Sequence, residues 1–263
     1  MHLKAVRADP AGNITILVTE TVLPPERAAV AAAFLKMPAI SAEQVGFIVQ
    51  PKLNAGAVGR LEMMGGEFCG NAARAFGLYM AKHMGAAARR VMIEVSGCEH
   101  PIAVMADPAA GTAWAQMPLP LKVSPVILAG ISCVRVEFEG IAHLVADCAV
   151  PREDLLRAAA DIFEPVDALG AYGVIFFNPD AGRIIPAVTV KATRSLIWEG
   201  SCGSGSVAAA VAAMLDKPDG DYCCTLSQPA GSIMVSLAKA QGAVCRAEIG
   251  GAVTLGEPQC YTF

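Results

Sequence analysis

Two short stretches constrain what this chain can fold into. Gly66-Glu67-Phe68-Cys69-Gly70-Asn71-Ala72-Ala73-Arg74 and Glu199-Gly200-Ser201-Cys202-Gly203-Ser204-Gly205-Ser206 each set a cysteine and a glycine ahead of a run of helix formers. The first run, residues 72–81, carries Phe76, Leu78, Tyr79 and Met80; the second, residues 207–215, is alanine, valine, methionine and leucine throughout. A helix that is apolar all round must be covered all round. The two cysteines stand half a chain apart, and the surroundings of each read alike: strands, a side helix, strands, the cysteine turn, the apolar helix, strands. Such a pattern is a duplication at the scale of a domain rather than a solenoid repeat. The expectation is an α+β molecule of two pseudo-symmetric halves, each a curved sheet wrapped around a central apolar helix, with a cleft between them.

Runs of alternating or β-branched character place strands at residues 14–18, 43–49, 91–95, 101–105 and 114–117, the third and fourth forming a hairpin around Ser96-Gly97-Cys98. Pro24 and Pro25 open a helix through Leu35, since proline is tolerated in a first turn. The helix after Cys69 is expected to end near Gly85, with Lys82 and His83 in its last turn. Pro118, Pro120 and Pro125 punctuate a connector, which divides the chain into 1–118 and 119–263, the last strand being free to return to the first half. Beyond it, strands are expected at 133–138, 143–145, 174–177, 184–190 and 196–198, a helix at 151–160, the helix after Cys202 stopping before Pro218, and strands at 232–237 and 244–249.

With 54% hydrophobic and 17% charged residues, the 263-residue chain can build a large core and is not a disordered polymer. A net charge of −4 without a basic cluster argues against nucleic acid and anionic membrane surfaces as partners. The apolar runs are shorter than the roughly 20 residues that span a bilayer, and the first residues show no signal-peptide pattern. The expected location is therefore the cytoplasm. There the nine cysteines would be reduced, and most would serve as small buried hydrophobes.

Cys69 and Cys202 differ from the other seven because each enters a helix through a glycine-rich turn. The helix dipole and the unpaired N–H groups of a first turn favour thiolate over thiol, below the usual value of about 8.5. Two such thiols admit three chemistries. Disulfide redox work usually carries C-x-x-C on one helix, and no such pair occurs here. Metal binding calls for histidine or further cysteine beside each turn, and neither has one, so no metal is expected. In two-base proton transfer a thiolate removes the α-proton from one face and a thiol donates on the other, inverting the stereocentre. The helix N-termini would then also hold the substrate carboxylate. Gly70, Gly203 and Gly205 would let a ligand approach the backbone.

Cys69-Gly70-Asn71-Ala72 together with Cys202-Gly203-Ser204-Gly205 resembles the pyridoxal-phosphate-independent amino-acid racemases of the diaminopimelate epimerase superfamily. Gly12-Asn13 and the 228–233 stretch Gln-Pro-Ala-Gly-Ser-Ile extend the match over nearly the whole chain. Within that superfamily the sequence is most similar to the histidine racemases of staphylopine-type opine metallophore biosynthesis, through residues 12–18, 43–48, 67–72, 96–98 and 195–205. The resemblance implies a diaminopimelate epimerase-like fold, no cofactor, an amino-acid substrate and a homodimer. It makes Cys69 and Cys202 the catalytic pair and puts Asn13, Glu43, Gln44, Gly70, Asn71, Arg194, Gly203 and Ser204 in contact with substrate. Departures from diaminopimelate epimerases point away from a substrate with a second zwitterionic end. Gly140-Ile141-Ala142-His143 stands where those enzymes carry Gly-Asn-Pro-His, and Thr193-Arg194 where they carry Glu-Arg. Bland roles compete for several of these residues: Asn71 and Ser204 as helix caps, Glu43 and Arg194 as surface charges, Glu199 as a complement to the helix dipole, His143 and His83 as packing or surface residues. The reading is an amino-acid racemase acting on histidine. Diaminopimelate or another amino acid is the alternative substrate, and a redox-regulated, non-catalytic amino-acid-binding protein is the alternative class.

Overall fold

A computed structural model describes residues 2–53, 56–85 and 87–263. In chain order, the first part runs β1 (His2–Asp9), β2 (Thr15–Val18), α1 (Pro24–Leu35), β3 (Gln44–Val49), β4 (Arg60–Met63), α2 (Gly70–His83), β5 (Arg89–Val95), β6 (Ile102–Asp107) and β7 (Thr112–Gln116). The second runs β8 (Lys122–Leu128), β9 (Ile131–Phe138), β10 (Ile141–Asp147), α3 (Glu153–Phe163), β11 (Ala171–Asn178), β12 (Arg183–Val190), β13 (Ser195–Trp198), α4 (Gly203–Ala213), β14 (Gly220–Gln228), β15 (Gly231–Ala240) and β16 (Ala243–Ala252). β17 (Thr254–Leu255) and β18 (Gln259–Thr262) close the chain. Residues 1–116 with 250–263 form one compact unit and residues 117–249 another.

In the first unit β1 pairs antiparallel with β2 and, on its other side, with β17 and β18, so the C-terminal strands are built into the N-terminal sheet. β2 and β3 run parallel, with α1 as their crossover (Thr15 opposite Gln44), and β3 and β4 run antiparallel. β4 and β5 are parallel, flanking α2 in sequence, and β5, β6 and β7 form a meander. The sheet curls about α2, which packs on β2, β5, β6, β7 and β17. Gly70 through Leu78 are buried without interruption, as a helix without a polar face requires. One core, including Leu17, Leu61, Phe76, Ile93 and Val104, lies around this helix; a second, built on Phe34, Ile16 and Phe47, lies under α1.

The second unit repeats the pairing senses. β10 and β11 are parallel with α3 as crossover, β11 and β12 antiparallel, β12 and β14 parallel with α4 between them in sequence, and β14 and β15 antiparallel. α4 packs on β9, β10, β11, β12 and β15 and is buried from Gly205 to Val211. Each half is therefore a sheet wrapped around an apolar helix, the α+β duplication expected from the sequence.

Most elements fall where the sequence put them, α1 to the residue. β1, β4, β8, β14, β17 and β18 were not anticipated. Pro125, read as part of a connector, sits inside β8; that strand pairs antiparallel with β9, a setting in which a proline costs no ladder bond if its nitrogen faces away from the partner. Among the described residues, no helix is long and apolar enough to cross a membrane.

Candidate active site

Each central helix begins on one of the two cysteines. Cys69 is the N-cap of α2, with an extended backbone (φ −127°, ψ 111°), and Cys202 is the N-cap of α4 in nearly the same conformation (φ −115°, ψ 116°). In both, the sulfur takes the place that a serine or aspartate oxygen takes at an ordinary cap. The Ala72 N–H donates to Cys69 Sγ at 3.5 Å, and the Gly205 N–H donates to Cys202 Sγ at 3.3 Å. The sulfurs thus stand at the positive ends of the two helix dipoles.

In the first unit the turn after β1 brings Asn13 to Cys69. Ala11 (φ 63°) and Gly12 (φ 87°) reverse the chain, and Gly12 N–H donates to Asp9 Oδ1 at 2.7 Å. Asn13 is buried. Its Nδ2 donates to Glu43 Oε2 at 2.8 Å, and its Oδ1 accepts from Cys69 Sγ at 3.8 Å. Glu43 therefore orients the amide so that the carbonyl faces the sulfur. Glu43 itself is exposed just before β3. Gln44, the first residue of β3, buries its Oε1 without a hydrogen-bond partner among the described residues. The β5–β6 hairpin buttresses the turn from behind. Ser96 Oγ donates to Glu67 O at 2.9 Å and accepts from Met63 N–H at 2.8 Å. Gly97, at φ 74°, lies so close that a Cβ there would collide with the backbone nitrogen of Phe68. Asn71, on the first turn of α2, accepts from Arg74 Nη2 at 2.9 Å.

In the second unit Gln228 fixes the turn. Its Oε1 accepts from Cys202 N–H at 2.8 Å and its Nε2 donates to Ser206 Oγ at 2.9 Å, while Ser206 Oγ donates to Cys202 O at 2.6 Å. Ser204 Oγ lies 3.6 Å from Cys202 Sγ and 2.8 Å from His143 Nε2, so the three form a chain. His143 is fully buried, and that burial pushes it down to about 4; it is a neutral imidazole at neutral pH. Burial, followed by the negative charge of Glu199 and a hydrogen bond with it, pushes the Cys202 thiol well above its ordinary value. A Cβ on Gly205 would come within 3.1 Å of Cys202 Sγ and 2.7 Å of Ile175 Cδ1, so glycine here leaves the sulfur its room without a shift of these neighbours.

The structure groups Asn13, Glu43, Cys69, Gly70 and Asn71 at the start of α2, and Cys202, Gly203 and Ser204 at the start of α4. Arg194 is exposed between β12 and β13 with φ 51°. His143, expected as a packing or surface residue, is instead linked through Ser204 to the second thiol. Its only sequence signal was its place in the altered Gly-Ile-Ala-His stretch. Glu199 interacts with Cys202 directly. Gln228 lay in a stretch that carried the family resemblance, but nothing in the residue type alone points to a cysteine N–H. Among the described residues, no group of three or more His, Cys, Asp or Glu side chains is placed to hold a metal ion.

The family model described as the histidine racemase CntK N-terminal domain matches residues 2–257. The chain is 30% identical over 217 residues to a histidine racemase of Fusobacterium nucleatum subsp. nucleatum, covering 78% of this chain and 79% of that one. It is 26% identical over 253 residues to a histidine racemase of Staphylococcus aureus, covering 94% and 92%. In fold it is similar to a Bacillus anthracis phenazine biosynthesis protein of the PhzF family, with a TM-score of 0.72 over the full length of both chains at 10% identity. A match across nearly every residue, on a duplicated fold with a cysteine capping each central helix, leaves no doubt about kinship: the chain belongs to the histidine racemase family, whose members are amino-acid isomerases.

Proposed function

We propose that the protein interconverts L- and D-histidine by two-base catalysis, Cys69 and Cys202 acting from opposite faces of the α-carbon. The observation that carries this reading is the repetition of one device: in each unit a cysteine caps the central helix and its sulfur receives the N–H three residues on. In one direction the Cys69 thiolate takes the α-proton while the Cys202 thiol donates its own to the other face. The reverse direction starts from the complementary protonation state. Burial and Glu199 both favour protonated Cys202, which makes that residue the resting acid. The α-carboxylate would lie against the first-turn N–H groups of the helices, with Gly70, Asn71, Gly203 and Ser204 as its neighbours. Asn13, Glu43, Gln44 and Arg194 would complete the substrate pocket.

Histidine as substrate rests on the names of the relatives and on the loss of the groups that grip a second zwitterion. The reduced thiols that the mechanism needs fit the cytoplasm, where we place the enzyme. A homodimer is also proposed, and light scattering should return twice the chain mass of 27.2 kDa. The function is tested by incubating the purified protein with each L-amino acid in deuterated water and following loss of the α-proton. Histidine should exchange and racemise. Exchange of diaminopimelate in its place would overturn the substrate, and no exchange with any amino acid would leave a binding protein.

A further inference from the structure

Among the described residues Arg74 is the largest fully buried side chain, and the proposed chemistry gives it nothing to do. It lies on the second turn of α2, in the middle of the apolar core of the first unit. Helical side chains lean toward the N-terminus, and Arg74 does so. Its Nη2 donates back to Asn71 Oδ1 at 2.9 Å, which sets the guanidinium alongside the first turn. Its Nε and Nη1 are buried with no hydrogen-bond partner among the described residues. Three costs meet at this one residue. A charge has been taken out of water, two strong donors are unpaired, and a cation sits at the end of a helix that already carries the positive pole of the dipole. Desolvation pulls the guanidinium down to about 10; the charge of Cys69 acts in the opposite direction. The charged residues on the strands packed against α2, Arg89, Arg90 and Glu94 of β5 and Asp107 of β6, have no such effect on Arg74 among the described residues, and Glu94 is already engaged by Arg60 and the N–H groups of Lys52 and Leu53.

We infer that Arg74 is a built-in counter-ion for the thiolate form of Cys69, a positioning residue that acts on the sulfur through space and holds Asn71 in place without touching substrate. The inference rests on the assignment of Cys69 as a reacting thiol. It explains why a carboxylate does not satisfy the guanidinium: a resident anion would neutralise the charge that the sulfur needs. It also sets two opposed influences on one atom. Glu43, through Asn13, offers the protonated sulfur an acceptor, and Arg74 favours the sulfur without its proton. A group that must serve as acid for one enantiomer and base for the other is well placed between two such neighbours.

The test reads Cys69 directly, by alkylation with iodoacetamide across pH and quantification of the Cys69 peptide by mass spectrometry, with no substrate present. Removing the opposite charge that acts on the sulfur should move the pH midpoint for Cys69 up by about one unit or more in Arg74→Met. Arg74→Lys, which keeps the charge but not the fork, should recover most of that shift. The thermal midpoint of Arg74→Met should not fall, since an apolar side chain of similar length replaces an unpaired buried charge. If Arg74→Met does not accumulate as folded protein, Arg74→Gln, which keeps a polar head for Asn71 without the charge, reads the same shift. A midpoint equal to that of the parent in a folded neutral variant, or Lys and neutral variants that behave alike, overturns the inference. Failure of the parent to racemise any amino acid would overturn the proposed function and leave this result standing.

Discussion

At the scale of single residues, the site is a set of contacts between positions far apart in sequence. Cys69 and Cys202 are visible from their turns alone. Asn13–Glu43 and Ser204–His143 are not, because neither spacing nor residue type says which side chain across a sheet meets which. His143 offers a sharp test. Its folded value of about 4 lies below the ordinary 6.5, so between these two pH values the unfolded chain binds a proton that the native state does not. Stability must then fall as pH is lowered through that window, by about 1.5 kcal/mol between pH 6.5 and 5. Urea denaturation at the two pH values should show this loss in the parent and lack it in His143→Gln; equal loss in both would place the effect elsewhere. Glu199 is tested at the other sulfur. Glu199→Gln removes a like charge that keeps Cys202 protonated, so alkylation of Cys202 at pH 8 should accelerate about tenfold, and an unchanged rate would leave burial as the sole cause.

At the scale of elements, the strands with strong alternation and the proline- or glycine-bounded helices were legible. The missed strands have physical reasons. β14 reads Gly-Asp-Tyr-Cys-Cys-Thr-Leu-Ser-Gln, too polar at its start to stand out, yet its pairing with β15 makes it a strand from end to end. β17 and β18 are short and owe their form to β1, a partner at the opposite end of the chain. The hairpin of β5 and β6 was foreseen, but its purpose was not: it supports the Cys69 turn through Ser96 and the close approach of Gly97. Gly97→Ala adds a side chain at φ 74° against the backbone of Phe68, so it should cost about 2 to 3 kcal/mol and displace the sulfur. Calorimetry and initial rates would show both losses together. A variant with parental stability and turnover would mean that the turn does not depend on this contact.

At the scale of the molecule, the duplication seen in two cysteine turns reappears as two units with the same order of parallel and antiparallel pairings. Each unit encloses its own apolar helix and presents its own sulfur at the helix entrance. The chain is not symmetric in its chemistry, however. Cys69 has an amide aligned by a carboxylate and a buried cation five residues along the helix; Cys202 is more deeply buried, beside a glutamate and a histidine-backed serine. Such asymmetry is what a pair of thiols needs if one is to rest as acid and the other as base. The most direct measurement is α-proton exchange of L- and D-histidine in deuterated water by Cys69→Ser and Cys202→Ser. Both variants should lose racemisation by at least about a hundredfold, and each should retain exchange from one enantiomer, opposite in the two. Parental racemisation by either variant, or exchange of the same enantiomer by both, would contradict a mechanism in which the two sulfurs work from opposite faces.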